Sequence, residues 1–126
     1  MVILVDTDVI IDYLRASEKQ STFYYNLFID EKNNAALSFV TVIELMAGQE
    51  IKKAEKRKVV EEIIDRSQVL GGSKEFYYLA GEILRTHLTK FQDGLIAAHA
   101  ILYSLPLLTR NKKDFERIKG VKLFSQ

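Results

Sequence analysis

Apolar residues fall along this chain in two rhythms. Val2 to Val5 is an uninterrupted apolar run rich in β-branched side chains, the pattern of a strand buried on both faces of a parallel sheet. It stops at Asp6-Thr7-Asp8, after which Val9, Ile10, Tyr13 and Leu14 recur at helical spacing, so a strand turns directly into a helix. A second helix is predicted over Glu18 to Asp30, carrying Phe23, Tyr24, Leu27 and Phe28. Asn33-Asn34 then punctuates the chain, Ala35 to Val40 reads as a second buried strand, and Thr41 opens a helical segment to about Ser67, interrupted at Gly48.

Gln68 to Leu70 is a short strand closed by Gly71-Gly72, and Ser73 is placed to cap a helix running to about Lys90. Asp93 starts another helix through Tyr103. Pro106 suits the first residue of a strand that continues through Leu107, Leu108 and Thr109 into the polar loop Arg110-Asn111-Lys112-Lys113-Asp114. A last strand is predicted over Val121 to Phe124. Strands alternating with helices imply βαβ crossovers, and therefore an α/β fold whose parallel sheet is covered on both sides. Ligands of such sheets bind at the carboxyl ends of the strands, which makes Asp6, the start of the Thr41 helix and the Arg110 to Asp114 loop neighbours in expectation.

Composition narrows what such a site can hold. With 126 residues the chain has the size of one domain, and 48% hydrophobic with 28% charged residues matches a soluble globular protein rather than a disordered one. No cysteine is present, so disulfides, thiolate zinc sites and cysteine nucleophiles are excluded together. Two histidines, His87 and His99, set against 17 acidic residues favour oxygen ligands and a hard cation such as Mg²⁺ or Mn²⁺ over zinc. No apolar run approaches the ~20 residues of a membrane span and the amino terminus lacks signal-peptide regions, so a cytoplasmic protein with no membrane partner is expected. A net charge of +1 supplies no global pull on nucleic acid, so phosphate binding must come from local charge or from metal.

Each acid at these junctions also has a structural explanation. Asp6 and Asp8 suit the turn and N-cap between strand and helix. Thr41-Val42-Ile43-Glu44 fits a capping box, although Glu44 lies between Ile43 and Leu45 in an apolar stretch where its charge needs a partner. Asp93 suits an N-cap favoured by the helix dipole. What favours chemistry is their number at βα junctions and helix starts: carboxylates brought together repel and raise one another's pKa, and a divalent cation removes that repulsion. Of the remaining residues, His87 reads as a surface and His99 as a packed histidine. Phe23-Tyr24-Tyr25 and Phe76-Tyr77-Tyr78 read as core or oligomer contacts, and Lys52 to Lys58 as a solvated face. Arg110, Lys112 and Lys113 sit where the fold presents them to phosphate.

Four segments now carry a resemblance: Leu4-Val5-Asp6-Thr7-Asp8-Val9, Ser38 to Leu45, Asp93-Gly94-Leu95-Ile96-Ala97-Ala98 and Leu108-Thr109-Arg110-Asn111-Lys112-Lys113-Asp114-Phe115. In order and spacing they resemble the PIN-domain ribonucleases, in particular the VapC-type toxins of toxin-antitoxin pairs. The resemblance implies a three-layer α/β/α domain over 1–126, with a central, mostly parallel sheet of four to five strands. It implies Asp6, Glu44 and Asp93 as metal-site acids, with Asp114 provisionally the fourth because Asn111 stands where some members carry an acid. Asp8 replaces a common asparagine or serine and joins Thr109, Arg110, Asn111 and Lys112 as outer-shell or substrate-binding candidates. Also implied are one or two Mg²⁺ or Mn²⁺ ions, RNA as substrate, a cognate antitoxin and a homodimer. Two alternatives weaken: a haloacid dehalogenase-like phosphatase using Asp6 leaves Glu44 without a role and is a family for which the chain is short, and a receiver domain, similar in size, lacks an aspartate near Lys52-Lys53-Ala54. A catalytically silent PIN-like binding module, with Asn111 as its sign, stays open.

Overall fold

A computed structural model of the chain describes residues 1–125. Its centre is a four-stranded, wholly parallel sheet of β1 (Val2–Val5), β2 (Asn34–Ser38), β3 (Gln68–Leu70) and β4 (Leu107–Leu108), in the order β3-β2-β1-β4. Successive residues of a strand point to opposite faces, and along the central strands β1 and β2 both faces are largely dry. Ile3, Val5, Ala35, Leu37 and Leu108 enter one core with Val9, Ile10, Leu14, Leu45, Val60 and Ile63. Leu4, Ala36, Leu70 and Leu107 enter the other with Phe76, Ile83, Ile96, Ala97 and Phe115. The first core is roofed chiefly by α1 (Thr7–Arg15), α2 (Phe39–Ala47) and α3 (Ala54–Arg66), the second by α4 (Lys74–Thr86), α5 (Phe91–Leu102) and the short α6 (Lys112–Phe115). The expected three layers are therefore present. The segment expected as a fifth strand supplies a single parallel bridge, Leu123 to Leu107.

Strand order fixes where a crevice opens. The chain steps outward from β1 to β2 to β3, then returns to lay β4 on the other side of β1. At that reversal the connections leave β1 and β4 toward different faces, and the carboxyl ends of those two strands stay uncovered.

Several element boundaries differ from the sequence reading, each for a local reason. The helix expected over Glu18 to Asp30 is instead a 3₁₀ turn, Lys19–Ser21, followed by wider π winding over Tyr25–Asp30. Lys19 Nζ donates to the carbonyls of Tyr13, Leu14 and Ala16 and so closes α1, while Thr22 Oγ1 donates to Lys19 O and starts a new turn. α2 begins at Phe39 rather than Thr41 because the Ser38 hydroxyl accepts from Val40 N, and that overturns the capping box. Asp93 is likewise no N-cap: α5 starts at Phe91 after Lys90, which leaves Asp93 in its first turn. The helix capped by Ser73 stops at Thr86 rather than near Lys90, closed by His87 N on Ile83 O. Part of the Arg110 to Asp114 loop is wound into α6.

Two packing details hold the second layer. Gly94 lies so close to α4 that a Cβ there would stand 2.5 Å from Leu84 Cδ2. His99, fully buried and stacked on Phe76, has Nε2 2.9 Å from Gly71 O and Nδ1 3.0 Å from Ser38 Oγ. A carbonyl only accepts, so Nε2 carries the proton and Nδ1 accepts from Ser38, whose oxygen also accepts from Val40 N. Burial lowers the His99 pKa and favours this neutral form.

Ser38→Ala removes a helix cap and strands His99 Nδ1, so it is expected to cost about 1–3 kcal/mol in urea unfolding. Gly94→Ala, by forcing Leu84 aside, is expected to cost about 1–3 kcal/mol in the same measurement.

Candidate active site

At the reversal between β1 and β4 the surface opens into a cleft of about 430 Å³ lined by Asp6, Thr7, Asp8, Glu44, Asp93 and Asn111, with Ile11, Asp12, Arg15 and Arg110 completing its wall. Asp6 is the first residue past β1 and is only 7% exposed. Its Oδ1 accepts from Thr7 N and its Oδ2 from Thr109 Oγ1, both at 2.8 Å. Thr109, buried just past β4, accepts in turn from Asn111 N at 3.0 Å. The carboxyl end of one central strand is thereby stapled to that of its neighbour.

Asp8, in the first turn of α1, receives Arg110 N at 3.2 Å on Oδ2, and Arg110 Nη1 donates to Asp12 Oδ1 at 2.9 Å. The loop after β4 is thus held against α1 by two carboxylates. Glu44 comes from the second turn of α2 and accepts from Thr7 Oγ1 at 2.7 Å, while Thr7 Oγ1 also lies 3.0 Å from the fully buried Thr41 hydroxyl. With one proton to give, Thr7 donates to the charged oxygen and accepts from Thr41. Instead of closing its own helix, Glu44 crosses to the neighbouring one.

The electrostatics show how tightly these acids are gathered. Burial, then the neighbouring Asp8, push the Asp6 pKa from 3.8 to about 7, with Asp93 adding to the rise and the Thr109 and Thr7 hydrogen bonds opposing it. Asp8 is raised by burial against the pull of Arg110. Asp93 is raised by burial first, then by Asp114, with Glu44 and Asp8 contributing and Lys90 opposing. Four elements far apart in sequence therefore put negative charge within reach of one another. Among the described residues the salt bridges engage Glu50 twice, Glu61 and Asp12, and none engages Asp6, Glu44 or Asp93. An acid cluster with one member buried and the others half-buried, hydroxyl and amide donors around it and, among the described residues, no salt bridge to Asp6, Glu44 or Asp93, is a donor set suited to a hard divalent ion. No three of these side chains, among the described residues, are arranged to hold a metal as they stand.

Of the remaining expected residues, Asp114 is half-buried in α6 and close enough to raise Asp93, while Lys112 is exposed at the start of the same helix. Sequence reasoning missed Thr7, Ile11, Asp12 and Arg15. Their signal was helical spacing, since Asp8 and Asp12, like Ile11 and Arg15, stand four apart and share a face of α1.

Comparison with known proteins decides the family, because the PIN domain family matches residues 3–121. The chain belongs to the PIN-domain family. Among PIN-domain relatives it is 32% identical, over 98% of its length and 88% of theirs, to "Ribonuclease VapC1" of Methanocaldococcus jannaschii. It is 29% identical, over 95% and 94%, to "tRNA(fMet)-specific endonuclease VapC" of Salmonella typhimurium. The structure superimposes with TM-score 0.78 and 26% identity, over 98% of both chains, on a chain of DNA-bound VapBC from Salmonella typhimurium. PIN membership displaces both the dehalogenase-like and the receiver readings.

The raised Asp6 pKa gives a signed expectation for the metal-free protein. Folding takes up a proton at Asp6 between its ordinary 3.8 and about 7, so its burial opposes folding increasingly across that window and fully above it. Metal-free Asp6→Asn is therefore expected to melt higher than the parent near pH ~8, with the difference disappearing toward pH ~4.

Proposed function

We propose that the protein is a metal-dependent endoribonuclease, the toxin of a toxin-antitoxin pair, with its activity carried by one domain spanning 1–126. The observation behind this reading is the convergence of Asp6, Glu44 and Asp93 in one cleft at the β1/β4 reversal, with no salt bridge to any of the three among the described residues. The ribonuclease names of its relatives favour RNA as the substrate class, and the likeness to VapBC and toxin-antitoxin complexes favours an antitoxin partner.

Asp6, Glu44 and Asp93 would hold Mg²⁺ or Mn²⁺, with Asp114 beside Asp93 and Asp8 beside Asp6 as further carboxylates for one or two ions. When bound, such an ion supplies Lewis-acid stabilisation of phosphoryl charge and lowers the pKa of water. The chain's own residues supply the rest. Thr109 and Thr7 N fix both oxygens of Asp6, and Thr7 Oγ1 fixes Glu44, so the carboxylates approach substrate already oriented. Arg110, braced by Asp12, and Asn111 line the wall where a phosphodiester enters, and Lys112 stands exposed beside them. No side chain here has to act as a covalent nucleophile, because water can attack in line.

A cytoplasmic homodimer completes the reading. Among the described residues no helix is long and apolar enough to cross a membrane. Tyr77, Tyr78, Leu88 and Phe91 are exposed on α4 and on the stretch leading from it into α5, which is apolar area for a second copy.

Purified protein incubated with mixed RNA is expected to cleave it in Mg²⁺ or Mn²⁺ and to stop in chelator. Asp6→Asn and Asp93→Asn should each lose at least ~100-fold in rate. Thr109→Val, which keeps every carboxylate but frees one Asp6 oxygen, should lose ~10–100-fold in metal affinity by titration. RNA binding without turnover, indifferent to Asp6→Asn, would identify a silent binding module instead.

A further inference from the structure

The α1 wall of the cleft does not end in acid. Asp8, Asp12 and Arg15 follow one another along one face of the helix, so the cleft changes sign over seven residues, roughly 10 Å of helix axis. Arg15, the last residue of α1, is held at one point: its Nε donates to Glu50 Oε1 at 2.6 Å. The other Glu50 oxygen takes Lys56 Nζ at 2.9 Å, and the Glu50 side chain is only 10% exposed while that of Arg15 is 65% exposed. Those hydrogen bonds, before the opposing effect of burial, hold the Glu50 carboxyl below its ordinary pKa, so it stays charged at neutral pH.

One buried carboxylate thus serves two cations, leaving the group with a net positive charge. Arginine offers five donors in a rigid fork, and a single N–H spent on Glu50 leaves both terminal amino groups. Among the described residues they make no hydrogen bond. A tie meant only to fasten α1 to the Gln49–Lys52 turn would gain most from a two-pronged grip. The grip by Nε alone orients the fork and keeps its outer edge free in the cleft. Arg110, the other arginine of the wall, differs in spending a terminal nitrogen on Asp12.

We propose that Arg15, oriented by Glu50, is a second phosphate subsite that takes the backbone of the RNA strand at a phosphodiester neighbouring the one being cut. This rests on the nuclease reading. Asp8 and Arg15 stand about 10 Å apart along the axis of α1, and on that spacing Arg15 is assigned a second phosphate, so the subsite would act only on a substrate with at least two phosphodiesters. Arg15 is a binding residue and Glu50 a positioning residue. Lys56 holds Glu50 through its other carboxylate oxygen, and it is the counterweight that keeps Glu50 from neutralising the subsite.

The test compares an oligoribonucleotide with a dinucleoside monophosphate, using the parent protein, Arg15→Ala, Arg15→Lys and Glu50→Gln, each first shown to melt cooperatively. Arg15→Ala should raise KM for the oligonucleotide about 10-fold with kcat little changed, and should flatten the logarithmic salt dependence of its binding by about one. Arg15→Lys should restore the salt slope but only part of the affinity, and Glu50→Gln should fall between parent and Arg15→Ala. The dinucleoside monophosphate should be cleaved equally by all four. An unchanged KM and salt slope in Arg15→Ala overturns the proposal, and so does an equal loss on both substrates. Fluorescence anisotropy of the labelled oligonucleotide in chelator keeps the two readings separable. A parent protein that binds but never cuts refutes the nuclease reading, while the Arg15 salt slope still decides the subsite.

Discussion

Everything in the cleft depends on a carboxylate being buried where a strand stops. Asp6 follows three fully buried residues of β1 and is nearly inaccessible itself, so its charge loses most of its hydration. Two donors, Thr7 N and Thr109 Oγ1, replace part of that water, and they belong to different strand ends. Both bonds make a costly charge tolerable, and the one from Thr109 also extends the β1–β4 pairing past Asp6 N on Leu108 O. The two hydrogen bonds lower the Asp6 pKa, yet burial and Asp8 outweigh them. The metal-free fold is thus strained electrostatically at its own centre, and a bound cation would relieve that strain.

Most of the framework was legible in the chain. The alternation of apolar runs with helical spacing gave the α/β class, the parallel sheet and the crevice at strand carboxyl ends, and Asp6 could be placed because β1 ends so abruptly. What misled was capping chemistry, which is local and degenerate. Thr41-x-x-Glu44 has the letters of a capping box, yet Ser38 precedes it and takes the cap, so Thr41 becomes a buried residue inside α2 and Glu44 is freed to reach Thr7. Asp93 was displaced into the first turn of α5 in the same way. In both cases the acid was a better candidate for chemistry than the sequence alone allowed, because its structural explanation had gone. Thr7, Asp12 and Arg15 were missed for the opposite reason: helical spacing could set them on the cleft side of α1, but their partners lie about 35 to 98 residues away and spacing does not report those contacts.

For the proposed action on a polyanion, a chain with net charge +1 must sort its charges rather than accumulate them. The cleft does this along one helix. Its deep end gathers Asp6, Asp8, Glu44 and Asp93, and its outer wall carries Arg110 and Arg15, each steadied by an acid, Asp12 or Glu50. Pairing at the wall fixes guanidinium geometry, whereas the absence of pairing in the depth leaves oxygen ligands for a cation. Arg15 stands about two turns of α1 beyond Asp8, whereas Arg110 stays beside the acids through Asp8 and Asp12.

The margins of the sheet carry a further consequence. A parallel sheet this narrow has two open borders, each a row of unused amides and carbonyls onto which a foreign chain could zip. On one border β3 is only three residues long, and on the other the bridge at Leu123 occupies Leu107 with hydrogen bonds from Leu107 N to Lys122 O and Phe124 N to Leu107 O. The tail thus works as a selvedge, finishing the fabric so that it neither unravels nor takes on extra threads when many copies crowd together.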